Sequence, residues 1–378
     1  MTVLGPGSTI GMLGGGQLGR MTTIAARQMG YRVVTLDPTP GSPAAQVADE
    51  QIVGRYDDPQ AVAAVAAKSD VVTLEFENLS AEMVERLETL LPVRPGGRVL
   101  RIAQNRLLEK AFLRDVGVPV APFAPVHDKH ALAEALQQVG LPAVLKTATM
   151  GYDGKGQYVV RTAGEAQAAY AALRVDCILE RLVPFERELS VIVARDVMGG
   201  IATYEPAENV HAAGILDTSM TPARVGQDVA QAAREIGARV AESLELVGVL
   251  AVELFLTAGG ELLANEIAPR PHNSGHWSIE ASMTSQFEQQ ARVTIGGPVG
   301  PTDLLRPAAT ANLMGDLWAA GEPQWDRLLA MPDVKLHLYG KAEPRPGRKM
   351  GHLTALAASP ETARERVLAA RAALEGRH

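Results

Sequence analysis

The chain has 378 residues, 47% of them apolar, a formal net charge of -7 and a single cysteine, Cys177. That length exceeds one ordinary core, so two or three domains are expected. One cysteine excludes an intrachain disulfide and a cysteine metal cluster and fits a cytoplasmic setting, while the acidic balance argues against nucleic acid as a partner. No apolar run reaches the about 20 residues of a membrane span, and "MTVLGPGSTIGML" lacks a basic leader region, so neither anchor nor signal peptide is expected.

In chain order, residues 9 to 14 read as a strand, 17 to 29 as a helix, 31 to 36 as a strand, 59 to 68 as a helix and 70 to 77 as a strand. That alternation is a parallel, doubly wound sheet. Its first turn carries Gly14-x-Gly16-x-x-Gly19, and Asp37 ends the next apolar run, the outline of a dinucleotide-binding fingerprint. Three readings are open on these residues: an NAD site, a βα turn without a ligand, or a helix start that receives a substrate group with help from Gln17 and Arg20. "PVRPGGR" (92 to 98) breaks the pattern and marks a boundary. A helix follows over 104 to 116, then an extended, Pro-rich "VPVAPFAPV".

Strands at 142 to 148 and 156 to 161 flank a glycine-rich loop. A helix (163 to 173), "CILERLV" and "ELSVIVARD" complete a small α+β unit. Lys146 leads into Gly151, Gly154 and Gly156, whose backbone amides can fold over phosphates above a fixed cation. The Walker spacing is absent, and the plain alternative is a hairpin with a glycine turn. Glu180 and Glu188 sit at strand ends and could serve a nucleotide or simply face solvent.

A helix at 228 to 246 leads into "VLAVELFLTAGGELLANEI". If Gly259-Gly260 is a two-residue turn, Ala258 pairs with Glu261 and Glu253 faces Glu266. Two carboxylates opposed in apolar sequence repel unless a cation lies between them, and a hard divalent ion suits oxygen ligands. Asn265 could serve that ion or a nucleotide. A three-residue turn would break the facing pair and leave scattered edge glutamates. "APRPHNSGHW" then gathers Arg270, His272, Asn273, Ser274 and His276 in one loop, a candidate anion pocket in which His276 could simply pack. A helix at 279 to 295 ends at Gly296-Gly297-Pro298. "VKLHLYGK", "MGHLTALA" and an amphipathic helix close the chain. Lys341, Arg345, Arg348 and Lys349 cluster between the two strands, as a phosphate clamp or a solvated basic turn.

The lysine strand, glycine lid, "ERLV" and paired-glutamate hairpin resemble the ATP-grasp superfamily. "GGGQLGRM", "GYDGKGQ", "NEIAPRPHNSGHW" and "RPGRKMGHL", in that order, resemble the ATP-dependent 5-(carboxyamino)imidazole ribonucleotide synthases of purine biosynthesis, the phosphoribosylaminoimidazole carboxylase ATPase subunits. The resemblance implies an α/β and α+β chain. A Rossmann-like pre-ATP-grasp domain (1-104) binds substrate rather than NAD. An ATP-grasp domain (105-296) follows with a mobile lid at about 120-188, then a small β-rich C-terminal domain (297-378).

By resemblance, ATP contacts fall on Arg106, Lys146, the loop Gly151, Tyr152, Asp153, Gly154, Lys155, Gly156 and Gln157, on Glu180, Arg181, Leu182 and Val183, and on Glu188, His211, Asn265 and Glu266. Glu253 and Glu266 match Mg²⁺ (or Mn²⁺) ligands. Arg270, His272 and Asn273 match a bicarbonate and carboxyphosphate pocket, closed by Tyr152, Asp153 and Lys155. Gln17, Leu18 and Glu75 match ribonucleotide contacts; Lys341, Arg348 and Lys349 match its phosphate clamp, with Lys341 also among the catalytic set. Asp37 is left as a strand-end or turn residue. The resemblance further implies a cytoplasmic homodimer acting on small molecules, with no biotin, nucleic acid or membrane partner. Asp153 or released phosphate takes the amine proton. The alternatives are a formate-dependent glycinamide ribonucleotide transformylase, an NAD-dependent oxidoreductase, and a nucleotide-binding module without catalysis.

Overall fold

A computed structural model describes residues 3–149, 151 and 156–375. The N-terminal strands β1 (Thr9–Leu13), β2 (Arg32–Asp37), β3 (Glu50–Val53) and β4 (Val71–Leu74) form a parallel sheet in the order β3-β2-β1-β4. β1, β2 and β4 are nearly all buried, because helices cover both faces of such a sheet. The helices are α1 (Gln17–Gln28), α2 (Pro59–Lys68) and α3 (Ala81–Glu88). Asp58 caps α2 and Ser80 caps α3, each accepting a backbone N–H of the first turn. The strand expected over 70 to 77 stops at Leu74, and the three residues after it turn toward a cleft. β3 and α3 went unread in the sequence. Beyond the expected boundary come α4 (Gly97–Ala103) and α5 (Arg106–Asp115). Asn105 starts α5 by accepting from the amides of Leu107 and Leu108, later than the expected start at 104.

The second sheet holds β5 (Phe123–Val126), β6 (Ala143–Thr147), β7 (Gln157–Val160) and β8 (Cys177–Arg181), in the order β5-β8-β6-β7. Helices α6 (Lys129–Val139) and α7 (Ala163–Leu173) back it, and Leu132, Val139, Leu145, Ala166 and Leu179 form its core. The Pro-rich "VPVAPFAPV" supplies β5. Pro125 is tolerated there because β5 is an edge strand.

The largest sheet is built from β9 (Phe185–Arg195), β10 (Ile201–Thr203), β11 (Ala207–Ala212), β12 (Ile215–Thr221), β13 (Gly248–Thr257), β14 (Leu262–Ala268), β15 (Ala308–Met314), β16 (Val334–Leu338) and β17 (Lys349–Leu356). Its order is β14-β13-β9-β11-β12-β15-β17-β16, with β10 on β9. The strands beyond residue 297 therefore extend the same sheet, through the β12–β15 pairing. Helix α8 (Gln227–Ser243) packs Ile236 and Val240 against Val191, Val193 and Val252. The helix expected over 279 to 295 is broken into α9 (Ser278–Ala281) and α10 (Gln286–Thr294), since Ser282 bridges to Leu304 and Ser285 caps α10. α11 (Trp325–Leu329) and α12 (Pro360–Leu374) close the C-terminal side, where Val367 and Leu374 meet Leu313 and Leu353.

Three buried glutamines of α10 join these parts. Gln290 accepts from the Val249 amide of β13 and donates to Thr73 of β4. Gln289 exchanges hydrogen bonds with the backbone of Gly300. Gln286 does the same with His272, which fixes the loop after β14. Among the described residues, no helix is long and apolar enough to cross a membrane.

Candidate active site

The hairpin decides the site. Glu253 of β13 does face Glu266 of β14. The turn is not the expected two-residue one, however. Thr257 pairs with Glu261 around three loop residues, and Leu254 pairs with Ala264. That register alone would set Glu253 opposite Asn265. A β-bulge between Glu253 and Leu254 restores the facing pair by leaving Asn265 as the extra residue. Asn265 and Glu266 are both half-buried, whereas their neighbours Ala264 and Ile267 are buried. The bulge thus turns two adjacent polar side chains into the same cleft.

Both carboxylates already have protein partners. Arg106 Nη1 donates to Glu266 Oε2 at 2.8 Å, and His272 Nε2 lies 3.0 Å from Glu253 Oε1. Glu266 sits on the cleft floor. Burial alone would raise its pKa, but the Arg106 charge and hydrogen bond bring it down to about 2. Among the described residues no group of three or more acidic, histidine or cysteine side chains could cage a metal. Two oxygen ligands across a ladder fit an ion that keeps waters and takes phosphate oxygens, as Mg²⁺ does.

Behind this floor, Lys146 Nζ donates to Glu180 Oε2 at 3.1 Å and reaches Asn265 Oδ1 at 3.5 Å. Burial pushes the Glu180 carboxyl up, yet the charges of Lys110 and Lys146 hold it at about 2. A carboxylate depressed on folding contributes stability that is present above its ordinary value of 4.5 and is lost as pH falls toward 2. Glu180→Gln is therefore less stable than the parent at pH 7, and the gap narrows by pH 3, as read from urea midpoints. His211 Nδ1 pairs with Glu188 Oε2. Burial disfavours its charge, but the Glu188 contact dominates and raises the imidazole pKa. Arg106 Nη2 also donates to Gly151 O at 3.4 Å. Tyr152, Asp153, Gly154 and Lys155 lie outside the described residues.

The loop after β14 presents donors. Arg270 pairs bidentately with Glu77, with Nη2 to Oε1 at 3.0 Å. Burial would raise the Glu77 carboxyl, and the Arg270 guanidinium overrides it, keeping it below the usual range. Asn273 Nδ2 is buried without a hydrogen-bond partner, a donor suited to an anion. His276 is buried against Phe287, Tyr339 and His352, so it packs rather than lining the cleft.

The N-terminal glycines turn out to serve the chain's own carboxylates. Glu75 accepts from the amides of Gly16 and Gly19, the latter at 2.8 Å, and Asp37 accepts from Gly15 at 2.8 Å and from the Tyr56 hydroxyl at 2.6 Å. A Cβ at Gly16 would sit 2.5 Å from Glu75 Oε1. The glycines therefore admit Glu75, and these amides are not available to a pyrophosphate. Burial raises the Glu75 pKa, against the pull of those two amides. Gln17, Leu18 and Glu75 line the cleft wall facing Lys341, Arg345, Arg348 and Lys349. Lys341 Nζ donates to Lys349 O at 2.7 Å and lies over the Tyr339 ring. Arg20 instead bonds Pro43 O and Gln46.

All these walls enclose one cleft of about 990 Å³. Every described residue that the family resemblance assigns to the site lines it except Gly156, whose carbonyl accepts from Thr147 of β6; Arg20, Ser274 and His276, candidates on the motif alone, do not line it. The sequence reading missed Glu77, Glu109 and an apolar wall of Val144, Val159 and Phe255, on whose ring Phe185 stacks at 4.6 Å, and it missed Lys110, which does not line the cleft but pairs with Glu180 of its wall. Glu77 had a signal, since it follows Glu75 by two residues at a strand end. Lys110 had none, because one lysine in a helix reads as surface.

Three family models match in order: the ribonucleotide synthetase preATP-grasp domain over 7–104, the ATP-grasp domain over 111–287, and the phosphoribosylaminoimidazole carboxylase C-terminal domain over 308–366. An N5-carboxyaminoimidazole ribonucleotide synthase of Bacillus subtilis is 46% identical over 353 residues, covering 93% of this chain and 92% of the relative. The chain belongs to the N5-carboxyaminoimidazole ribonucleotide synthase family.

Solved structures of the N5-carboxyaminoimidazole ribonucleotide synthase family share its fold. The Staphylococcus aureus synthetase complexed with ADP matches with TM-score 0.93 at 35% identity, covering 98% of this chain and 99% of that one. The Aspergillus clavatus synthase in complex with ADP and 5-aminoimidazole ribonucleotide matches with TM-score 0.89 at 30% identity, covering 97% and 99%. The family is one of ADP-forming ATP-grasp ligases, and the pre-ATP-grasp, ATP-grasp and C-terminal units expected from the sequence are the ones found.

Proposed function

We propose that this single cleft carries the ATP-dependent carboxylation of 5-aminoimidazole ribonucleotide, with bicarbonate as the carbon source. The enzyme is a carbon–nitrogen ligase of purine biosynthesis that forms ADP. One observation carries the site reading: the paired-glutamate floor, the donor loop and the basic C-terminal cluster open into the same cavity. Two ligands held there can react without release into water.

The nucleotide's base lies against Val144, Val159 and Phe255, near the backbone of Glu180 to Val183, and the Glu188–His211 pair takes its ribose. Lys146 and Arg106 face its phosphates. Glu253 and Glu266 hold Mg²⁺ or Mn²⁺, which supplies charge neutralisation on the transferring phosphoryl group when bound. Arg270, His272 and Asn273 hold bicarbonate, and the contact to Glu253 sets the His272 ring. Bicarbonate is a poor electrophile; phosphorylation to carboxyphosphate makes it one. Its breakdown releases CO₂ and inorganic phosphate beside the ribonucleotide's exocyclic amine, and attack gives the carbamate, the amine proton passing to the released phosphate or to Asp153. Closure against water matters because that carbamate is labile. Gln17, Leu18 and Glu75 bound the ribonucleotide, and Lys341, Arg348 and Lys349 clamp its phosphate. The family resemblance assigns Asp153, Lys155 and the rest of the glycine loop to this pocket. The domain boundaries at 104 and 296 and a cytoplasmic homodimer belong to the same reading; light scattering at about twice 40.1 kDa checks the dimer.

The test is ADP release with bicarbonate and the ribonucleotide omitted in turn. Release is expected to rise only with both present. Faster release with formate and glycinamide ribonucleotide would sink the assignment. In the same assay Lys341→Ala or Arg348→Ala raises the KM for the ribonucleotide by roughly 30-fold, the loss of one charge-assisted contact, while the KM for ATP holds.

A further inference from the structure

Helix α5 runs along the outer edge of β14, the end strand of the large sheet. An end strand has backbone groups with no strand partner on one side. Here the helix and the segment after it supply partners. Lys110 Nζ donates to Ala264 O at 3.1 Å, and the Ile267 amide donates to Glu109 Oε1 at 2.6 Å. The Ala264 amide donates to Pro119 O at 2.8 Å, and Arg106 holds the Glu266 carboxylate. Arg106, Glu109 and Lys110 stand at i, i+3 and i+4, so they share one helix face. Together they bracket a single residue, Asn265, the extra residue of the bulge.

A flat ladder is the competing register. Continuing the Leu254–Ala264 pairing would set Asn265 opposite Glu253 and turn Glu266 to the other face of the sheet. The groups that α5 holds, Ala264 O before the bulge and Ile267 N after it, both lie on the outer edge only when the extra residue intervenes. Lys110 also reaches Glu180 Oε2 at 3.4 Å, the oxygen that Lys146 uses. One buried lysine thus ties the β8 wall of the cleft to its β14 floor. Glu109 and Lys110 are 2% and 1% exposed, and ionisable groups this deep are costly without specific partners.

We propose that Glu109 and Lys110 are positioning residues that lock β14 in its bulged register and so hold Asn265 and Glu266 together in the cleft. The inference rests on the reading that this cleft binds a magnesium–nucleotide complex.

The test measures ADP affinity of the full chain by calorimetry, with and without Mg²⁺, alongside thermal midpoints. The parent gains affinity with Mg²⁺. In Glu109→Leu and Lys110→Met that gain shrinks by roughly tenfold, while metal-free affinity changes less than about threefold. Glu109→Gln keeps an acceptor for the Ile267 amide and recovers the gain to within about threefold. Should Lys110→Met not fold, Lys110→Gln, too short to span Ala264 and Glu180 together, takes its place with the same expectation. Lower midpoints with an unchanged Mg²⁺ gain in the Leu and Met variants would overturn the proposal, leaving a packing role. Glu109→Gln as impaired as Glu109→Leu would overturn it too, since charge rather than the backbone acceptor would then matter. If the parent shows no Mg²⁺ gain, or Glu266→Ala retains it, the cleft reading fails instead.

Discussion

Glu266→Ala lowers magnesium-dependent ATP turnover by roughly 10³-fold, and Glu253→Ala does the same. Each removes one of the two carboxylates that meet across the β13–β14 ladder. Glu266→Ala also frees the Arg106 guanidinium, which the carboxylate holds at 2.8 Å. An unpaired cation there attracts the triphosphate, so nucleotide affinity without metal persists or rises while turnover falls. The chain stays folded, because the change removes a carboxylate from a cleft floor and leaves no core cavity. The measurement is kcat against Mg²⁺ concentration, with circular dichroism as the folding control. Turnover at the parent's level in either variant would refute the metal assignment.

Arg270→Met removes both stability and activity, and a second substitution separates the two. Arg270 and Glu77 join the loop after β14 to the chain after β4, a half-buried pair spanning two parts of the molecule. Breaking it strands the Glu77 carboxylate, at a cost of about 3 kcal/mol. Adding Glu77→Gln relieves that stranded charge and returns most of the stability. It does not return turnover, because the donor next to Asn273 and His272 is still missing. Urea midpoints and ADP release on the two single variants and the double variant give the full cycle. Recovery of turnover in the double variant would show that Arg270 acts only by holding Glu77.

The site was legible where chemistry is dense within a few residues. "NEIAPRPHNSGHW" and the hairpin before it announced an anion pocket next to opposed carboxylates, and both line the cleft. Helices with strong caps, such as α2 behind Asp58-Pro59, were legible too. The break before helix α10 was not, because apolar periodicity continues through Ser282, where the chain turns away to bridge Leu304. Lys110 was invisible for a related reason. Nothing near it in sequence marks a lysine that is 1% exposed and reaches Ala264 and Glu180.

The sequence by itself determined the order of the main elements, the family and most of the cleft's polar side chains, since those signals are local in the chain. Only the tertiary structure decided two points. The facing of Glu253 and Glu266 survives a three-residue turn because a bulge adds one residue back. Turn counting cannot foresee that bulge, as its partners sit on α5, more than a hundred residues earlier. The glycine fingerprint at residues 14 to 19 looks alike whether its amides await a ligand or not. Here they are occupied by Glu75 and Asp37, carried on β2 and just past the end of β4. Whether a backbone amide is available depends on what the fold brings to it, and that is a property of contacts between distant segments rather than of the segment that carries the amide.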